Sequence, residues 1–351
     1  MSSHSQTGNS AGSGPSRRTV LPDPRQNPRF SGLCTYCRYP RLEDVLAENR
    51  PLDWVVYGVP YDTGVTFRPG ARFGPRAVRD ASAYVKRYHV EHAVDVCDAL
   101  SIADAGDAPV SPFELRSTLN MVGEFAVELG DEHSKLLAIG GDHSIAYANM
   151  RATFARLAQQ GREPQGGLAV IHFDSHLDTV DAVWGEKWSH ASPFRRAIEE
   201  GFINPKKMLS IGIKGPLNSA SDLEFARDSG VTVVTREDLS RTGGAGLTAI
   251  TNFVRALAGV PTYFTFDVDV VDPAFAPGTG TPSIGGLTTS EALQLLRLCR
   301  GVEVVGGDVV EVLPDRDVSQ ITALFAAHVG FEILALDAAQ RGGGARMHIS
   351  K

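Results

Sequence analysis

Short apolar runs recur along this chain, and they constrain its fold more than any other feature. Residues 135–139 read Lys-Leu-Leu-Ala-Ile, a continuous run of the kind that marks a strand buried on both faces of a parallel sheet. Residues 53–60 and 167–173 read as buried strands too, and further strands are predicted at 94–103, 207–213, 231–235, 261–267 and 302–312. Helical stretches separate them, at 76–84, 115–129, 145–158, 193–200, 221–228, 247–258, 290–300 and 321–339. Strands that alternate with helices predict an α/β fold: one three-layer domain with a doubly wound, mainly parallel central sheet. No repeat of 20–50 residues and no linker divides the chain, so a single catalytic-sized domain is expected over 29–340. Residues 1–28 are rich in Ser, Gly, Pro and Asn and should form a disordered tail; 341–351 should form a loose C-terminal one.

The bulk properties exclude several classes. A formal charge of −7 and a pI near 5.8 disfavour nucleic acid or an anionic membrane as the main partner. No apolar run approaches the ~18 residues of a transmembrane span, and the N-terminus has no apolar signal region. Four cysteines are too few for a disulfide scaffold. Cys34-Thr35-Tyr36-Cys37 is a CxxC, but it lacks a second CxxC or a nearby His pair and reads as structural or incidental. The expectation is a soluble protein of a reducing compartment, cytoplasmic.

In open α/β sheets, ligands bind outside the carboxyl ends of the strands. Here the strand at 135–139 delivers Gly140-Gly141-Asp142-His143-Ser144, and that at 167–173 delivers Asp174-Ser175-His176-Leu177-Asp178. The strand at 261–267 delivers Asp267-Val268-Asp269. Spacing of two residues in extended backbone points Asp174, His176 and Asp178 to one side, and repeats at Asp267 and Asp269. Four carboxylates at the ends of buried strands would repel one another and lose hydration. Two divalent cations held by His143, Asp174, His176, Asp178, Asp267 and Asp269 would offset their charge. Oxygen and imidazole donors without Cys favour Mn²⁺ first, with Ni²⁺ the runner-up, then Co²⁺ or Zn²⁺. A pair of ions ~3.5–4 Å apart makes a shared water acidic near neutral pH, which suits hydrolysis. The glycine-rich loop at 61–75 also follows a strand and is a functional candidate.

These motifs resemble the three signatures of the ureohydrolase family, which holds arginases, agmatinases and guanidino-acid hydrolases. The third runs Asp267-Val-Asp-Val-Val-Asp-Pro-Ala-Phe-Ala-Pro-Gly-Thr-Gly-Thr-Pro282. The loop Arg68-Pro69-Gly70-Ala71-Arg72-Phe73-Gly74-Pro75 and the helix start Ser192-Pro193-Phe194-Arg195 look agmatinase-like. The resemblance implies a homo-oligomer, trimeric or hexameric, with a mixed oligomer as a further possibility. It implies one ion on His143, Asp174, Asp178 and Asp267 and another on Asp174, His176, Asp267 and Asp269. It also implies a catalytic set of His190, Glu311 and Asp178. His190 matches the family's proton shuttle and Glu311 the carboxylate that holds the guanidinium, a pairing that suits a planar cation. Asp142 and Asp272 sit inside the motifs as supporting or turn residues rather than ligands. The implied reaction is hydrolysis of a small guanidino compound to urea, or a urea derivative, and an amine.

The substrate pocket is expected at Val180, Trp184, Trp188, Ala191 and Ser192. Thr179-Val180-Asp181-Ala182-Val183-Trp184 stands where arginase-like chains hold an α-amino acid with polar residues, which disfavours free arginine. Agmatinase-like chains read His-Gly-Thr where this one reads His190-Ala191-Ser192, and the Ala191 methyl should narrow the pocket. Trp184 and Trp188 either narrow it further or anchor the loop. Agmatine, 4-guanidinobutanoate, a short or alkylated guanidine and a biguanide all compete as substrates. The alternative reading is a non-catalytic or partner-dependent subunit of a mixed oligomer.

Overall fold

The structure, a computed structural model, describes residues 18–341. Eight strands form one sheet: β1 (Trp54–Val59), β2 (Ile102–Asp107), β3 (Lys135–Gly140), β4 (Leu168–Phe173), β5 (Ile203–Ile213), β6 (Thr232–Thr235), β7 (Pro261–Asp267) and β8 (Glu303–Val310). Their order is β2-β1-β3-β8-β7-β4-β5-β6, and every neighbouring pair is parallel. The sheet is the doubly wound one that the alternating pattern predicts. β7 and β8, last in sequence, insert between β3 and β4. The carboxyl ends of β3, β8, β7 and β4 therefore lie side by side, and loops far apart in sequence meet above the middle of the sheet.

The strands are buried on both faces because their two side-chain sets feed two cores. Val56, Leu137, Ile139, Ile171 and Phe264 face helices α1 (Gly74–Ser82), α5 (Ala245–Ala256), α6 (Thr289–Leu298) and α7 (Ile321–Arg341). Val55, Tyr57, Leu136, Ala138 and Val170 face α2 (Leu115–Glu128), α3 (Ile145–Gln159) and α4 (Pro193–Glu199). Local chemistry sets the helix starts. Pro75 occupies the first turn of α1, and α6 opens on a reciprocal capping box: Thr288 Oγ1 accepts the Glu291 N–H while Glu291 Oε2 accepts the Thr288 N–H.

Three expectations change. The predicted strand at 94–103 is broken: Asp95 accepts the N–H groups of Cys97 and Asp98 and caps a helical turn, Val96–Ala99, so β2 begins only at Ile102. The boundary at residue 28 also moves. Thr19 is buried, its N–H bonds Cys97 O at 2.8 Å, and its hydroxyl accepts the Ile102 N–H at 2.9 Å, so packed chain begins at least ten residues earlier. The rest of the expected N-terminal tail, and 342–351, lie outside the described residues. Finally, α7 is long and apolar enough to cross a membrane, which the sequence reading did not register. Its most apolar window is 83% buried within the fold, where Trp54 Nε1 donates to Asp337 Oδ2 at 2.7 Å, so it is a core helix.

Candidate metal centre

The segment after β3 is held by backbone contacts that leave no room for a side chain. A Cβ at Gly141 would lie 2.0 Å from Tyr61 O. In its place the Gly141 N–H reaches Val59 O, Asp142 N–H reaches Tyr61 O, and Gly141 O accepts the Glu311 N–H. The Gly-Gly-Asp-His motif thus stitches the ends of β1, β3 and β8 and sets His143 and Glu311 beside each other. Asp142 turns away from the cluster and accepts the N–H groups of Gly64 and Ser144. Asp272 likewise ties a turn through Ala274, Gly285 and Gly286.

All six expected ligand residues converge. Nδ1 of His143 lies 2.9 Å from Asp178 Oδ2, 3.1 Å from Asp174 Oδ2 and 3.5 Å from Asp267 Oδ2. Nδ1 of His176 lies 3.1 Å from Asp269 Oδ2 and 3.4 Å from Asp174 Oδ1. Asp174 therefore faces both groups, one oxygen to each. Asp267 Oδ1 accepts the Asp269 N–H at 2.8 Å, which orients the pair. Asp178 and Glu311 sit in the left-handed region, at φ 51° and 67°, a costly conformation for residues other than glycine and one that clusters at functional sites.

The protonation pattern shows why this cluster suits cations. Nε2 of His143 lies 2.8 Å from Thr265 Oγ1, whose hydroxyl is donated to Asp308. Nε2 must then carry a hydrogen, which leaves Nδ1 aimed at three carboxylates. Burial disfavours a charged His143, yet hydrogen bonds to Asp174, Asp178 and Asp267 hold its pKa well above the usual range. A positive charge at that nitrogen, proton or metal, is favoured by the carboxylates around it. The acids are driven apart in turn. Burial opposes ionisation of Asp174, but His143, His172 and His176 hold it well below the ordinary carboxylate range. Burial and the charges of Asp269 and Asp174 push Asp267 well above it. A buried set that cannot ionise together unaided, with two imidazoles among hard oxygen donors, fits a pair of divalent ions.

His190 stands on the other side of Glu311. Its Nδ1 lies 2.9 Å from Glu311 Oε1, which also accepts the His143 backbone N–H; Glu311 Oε2 is buried and has no hydrogen-bond partner among the described residues. Burial lowers the affinity of His190 for a proton, but the Glu311 carboxylate overrides this and pushes its pKa up to about 9. A cavity of about 720 Å³ opens above this floor. His176, Asp178, Asp267 and His190 line it, as do Val180, Trp184 and Ala191. Trp188 does not line it: its ring packs edge-on against Tyr147 at 4.7 Å, under the Arg116 guanidinium. Ser192 is buried beneath the loop, where its hydroxyl bonds Lys187 O and Ser189 O.

Several residues at the site were not anticipated. Thr66, in the loop after β1, contacts His190 Nε2 through both its N–H (3.0 Å) and its hydroxyl (2.7 Å). His172 holds Asp174 Oδ2 at 2.9 Å from within β4; a histidine interrupting an apolar run two residues before a ligand was the available signal. Lys214 donates to Asp269 O at 3.0 Å, and Thr281 reaches Asp269 Oδ2 at 3.2 Å.

Residues 52–336 match the arginase family. Guanidinopropionase from Pseudomonas aeruginosa is 42% identical over 315 residues, covering 90% of this chain and 94% of that one. Proclavaminate amidinohydrolase from Streptomyces clavuligerus is 38% identical over 313 residues, 89% of this chain and 95% of its own. Its solved structure superposes with a TM-score of 0.79 and covers 89% of this chain and 99% of that one. A hypothetical agmatinase from Burkholderia thailandensis, 34% identical, gives a TM-score of 0.76 over 90% and 94% of the two chains. By sequence, sheet order and the set of side chains gathered above the sheet, the chain belongs to the arginase family, in its agmatinase-like branch, and is an amidinohydrolase.

Proposed function

We propose that this chain hydrolyses a small guanidino compound to urea, or a urea derivative, and an amine at a binuclear metal site. His143, Asp174, Asp178 and Asp267 would hold one ion, and Asp174, His176, Asp267 and Asp269 the other; Mn²⁺ suits the oxygen-rich donor set best, and Ni²⁺ next. When bound, such a pair supplies a water acidic enough to act as nucleophile near neutral pH and charge to balance a tetrahedral centre. The remaining steps fall to the chain's own groups.

The observation that carries this reading is Glu311. Its Oε1 is committed to His190 and the His143 amide, while Oε2 is buried without a partner among the described residues. An unpaired buried carboxylate oxygen is costly, and a guanidinium N–H would relieve that cost through a charge-assisted bond. His190, with its pKa raised to about 9, holds a proton at neutral pH and can pass it to the departing amine. Val180 and Ala191 close the neck of the loop through a 2.9 Å backbone bond and so hold the cavity wall against His190. Six converging donors together with His190 and Glu311 favour catalysis over the non-catalytic subunit.

The test is urea release by the full chain loaded with Mn²⁺ or Ni²⁺, across agmatine, guanidino acids, arginine, guanidine, methylguanidines and a biguanide. Urea with a stoichiometric amine is expected. A chain that holds two ions yet releases urea from none of these is not a guanidino hydrolase.

A further inference from the structure

The loop that walls the cavity ends in a tight hairpin. Val183 and Glu186 exchange backbone hydrogen bonds of 2.9 Å each way, with Trp184 and Gly185 between them. Both central residues have positive φ, 52° and 86°, as a type I′ turn requires. Asn, Asp or Gly suits the first of these positions; a bulky indole there is strained. Burial does not offset the strain, because Trp184 is 82% exposed. The side chain nevertheless lines the same cavity as His176, Asp178, Asp267 and His190. Trp188, four residues on, lies over Tyr147 and accounts for the anchoring of the loop. The hairpin's strain at Trp184 is therefore left for a ligand to explain.

The rest of the lining says which ligand. Beyond the floor of acids and histidines, Asp222 is the one charged residue in the wall among the described residues; Val180, Val183, Leu217 and Asn218 also line it. Among the described residues, no lysine or arginine lines the cavity. A substrate tail that ends in a carboxylate would meet an indole face, whose quadrupole repels anions, and a like charge at Asp222. An ammonium or alkyl tail would meet an attractive surface. We propose that Trp184 and Asp222 form an outer subsite that reads the tail of the guanidino substrate and selects an aminoalkyl or alkyl tail over a carboxylate. This rests on the guanidino hydrolase reading above and names the substrate class of that site.

Three substrates of nearly equal length separate the tails: agmatine, pentylguanidine and 4-guanidinobutanoate, with methylguanidine as the tailless reference. For the metal-loaded full chain, kcat/KM for the acid should fall about tenfold or more below that for either of the others. W184A should raise KM for agmatine and pentylguanidine about fivefold or more while moving that for methylguanidine much less. D222N should lower the ratio of agmatine to pentylguanidine turnover. Equal or better use of the acid, or a W184A effect as large on methylguanidine as on the tailed compounds, overturns the subsite while leaving the hydrolase reading intact. Failure to release urea from all four removes that reading, and this inference with it.

Discussion

Glu311 Oε1 lies 2.9 Å from Nδ1 of His190, and the same oxygen accepts the His143 backbone N–H at 2.9 Å. One carboxylate thus joins His190 to the His143 segment, while its second oxygen, buried without a partner among the described residues, is the one proposed to take the substrate. Glu311→Gln replaces one of these acceptors with an amide and removes the charge that would bind guanidinium. It should lower kcat/KM about a hundredfold or more. Metal content, measured by plasma emission, should stay near two ions per chain, because Glu311 is not among the expected ligands. Wild-type turnover in this variant would exclude Glu311 from substrate binding.

Thr66 acts through His190. The Thr66 N–H points at Nε2, so the form it stabilises is the ring after it has given up its proton, neutral with its hydrogen on Nδ1 facing Glu311. The Thr66 hydroxyl adds a second contact, and Thr66→Val removes that one alone. The expected result is a roughly three- to tenfold drop in kcat with KM nearly unchanged, since the loss concerns proton transfer rather than binding. Thr66→Ser should restore the rate. A valine variant with unaltered kcat would show that the backbone amide alone orients the ring.

Which parts of this were legible in sequence follows from where the information lies. The sheet was legible because strands buried on both faces leave short apolar runs. The convergence of the proposed ligands was legible because Asp174, His176 and Asp178 leave a strand end at a spacing that extended chain turns to one side. Thr66, Thr265 and His172 were not, since each is an ordinary residue whose partner lies in another strand or loop. Trp184 and Trp188 share one loop and look alike in sequence; only Tyr147, from α3, decides that one is an anchor and the other lines the cavity. The missed break at 96–99 is a local contest, in which the Asp95 cap overrides the β-forming pattern around it. The left-handed backbone at Asp178 and Glu311 has no sequence signal, because tertiary contacts impose it.

Removing the ions should destabilise the fold. Burial and the charge of Asp174 raise the pKa of Asp178, and Asp267 is pushed up further by burial, Asp269 and Asp174. Chelation leaves that repulsion uncompensated and removes the stabilisation by bound ligand, which reaches about 2.7 kcal/mol at a hundred times Kd. A Tm lower by several degrees in EDTA, and rising with added Mn²⁺, is the expected result. Asp178→Asn should abolish urea release yet melt higher than wild type in EDTA, because it removes one charge and asparagine tolerates φ near 51°. If EDTA leaves Tm unmoved while stripping the metal, the native fold does not depend on the ions.

His92 sets an acid limit far from the catalytic cavity. It is buried against His89, whose ring stacks on it at 4.4 Å, and its Nε2 has no hydrogen-bond partner among the described residues, with Glu332 Oε2 3.8 Å away. Burial lowers its pKa to about 4, helped by His89, Arg300 and Arg297 and opposed by Glu332. The unfolded chain protonates this histidine near its ordinary value of 6.5, so between about pH 6.5 and 4 the unfolded state binds more protons. Stability is full above that window and declines as pH falls through it, by about 2 kcal/mol for this group after allowing for partial screening. His92→Gln should flatten the decline. Comparing urea-denaturation midpoints of wild type and variant at pH 7 and pH 5, both in EDTA, cancels the contribution of the metal-site acids. An equal loss in the two proteins would show that His92 does not govern acid stability.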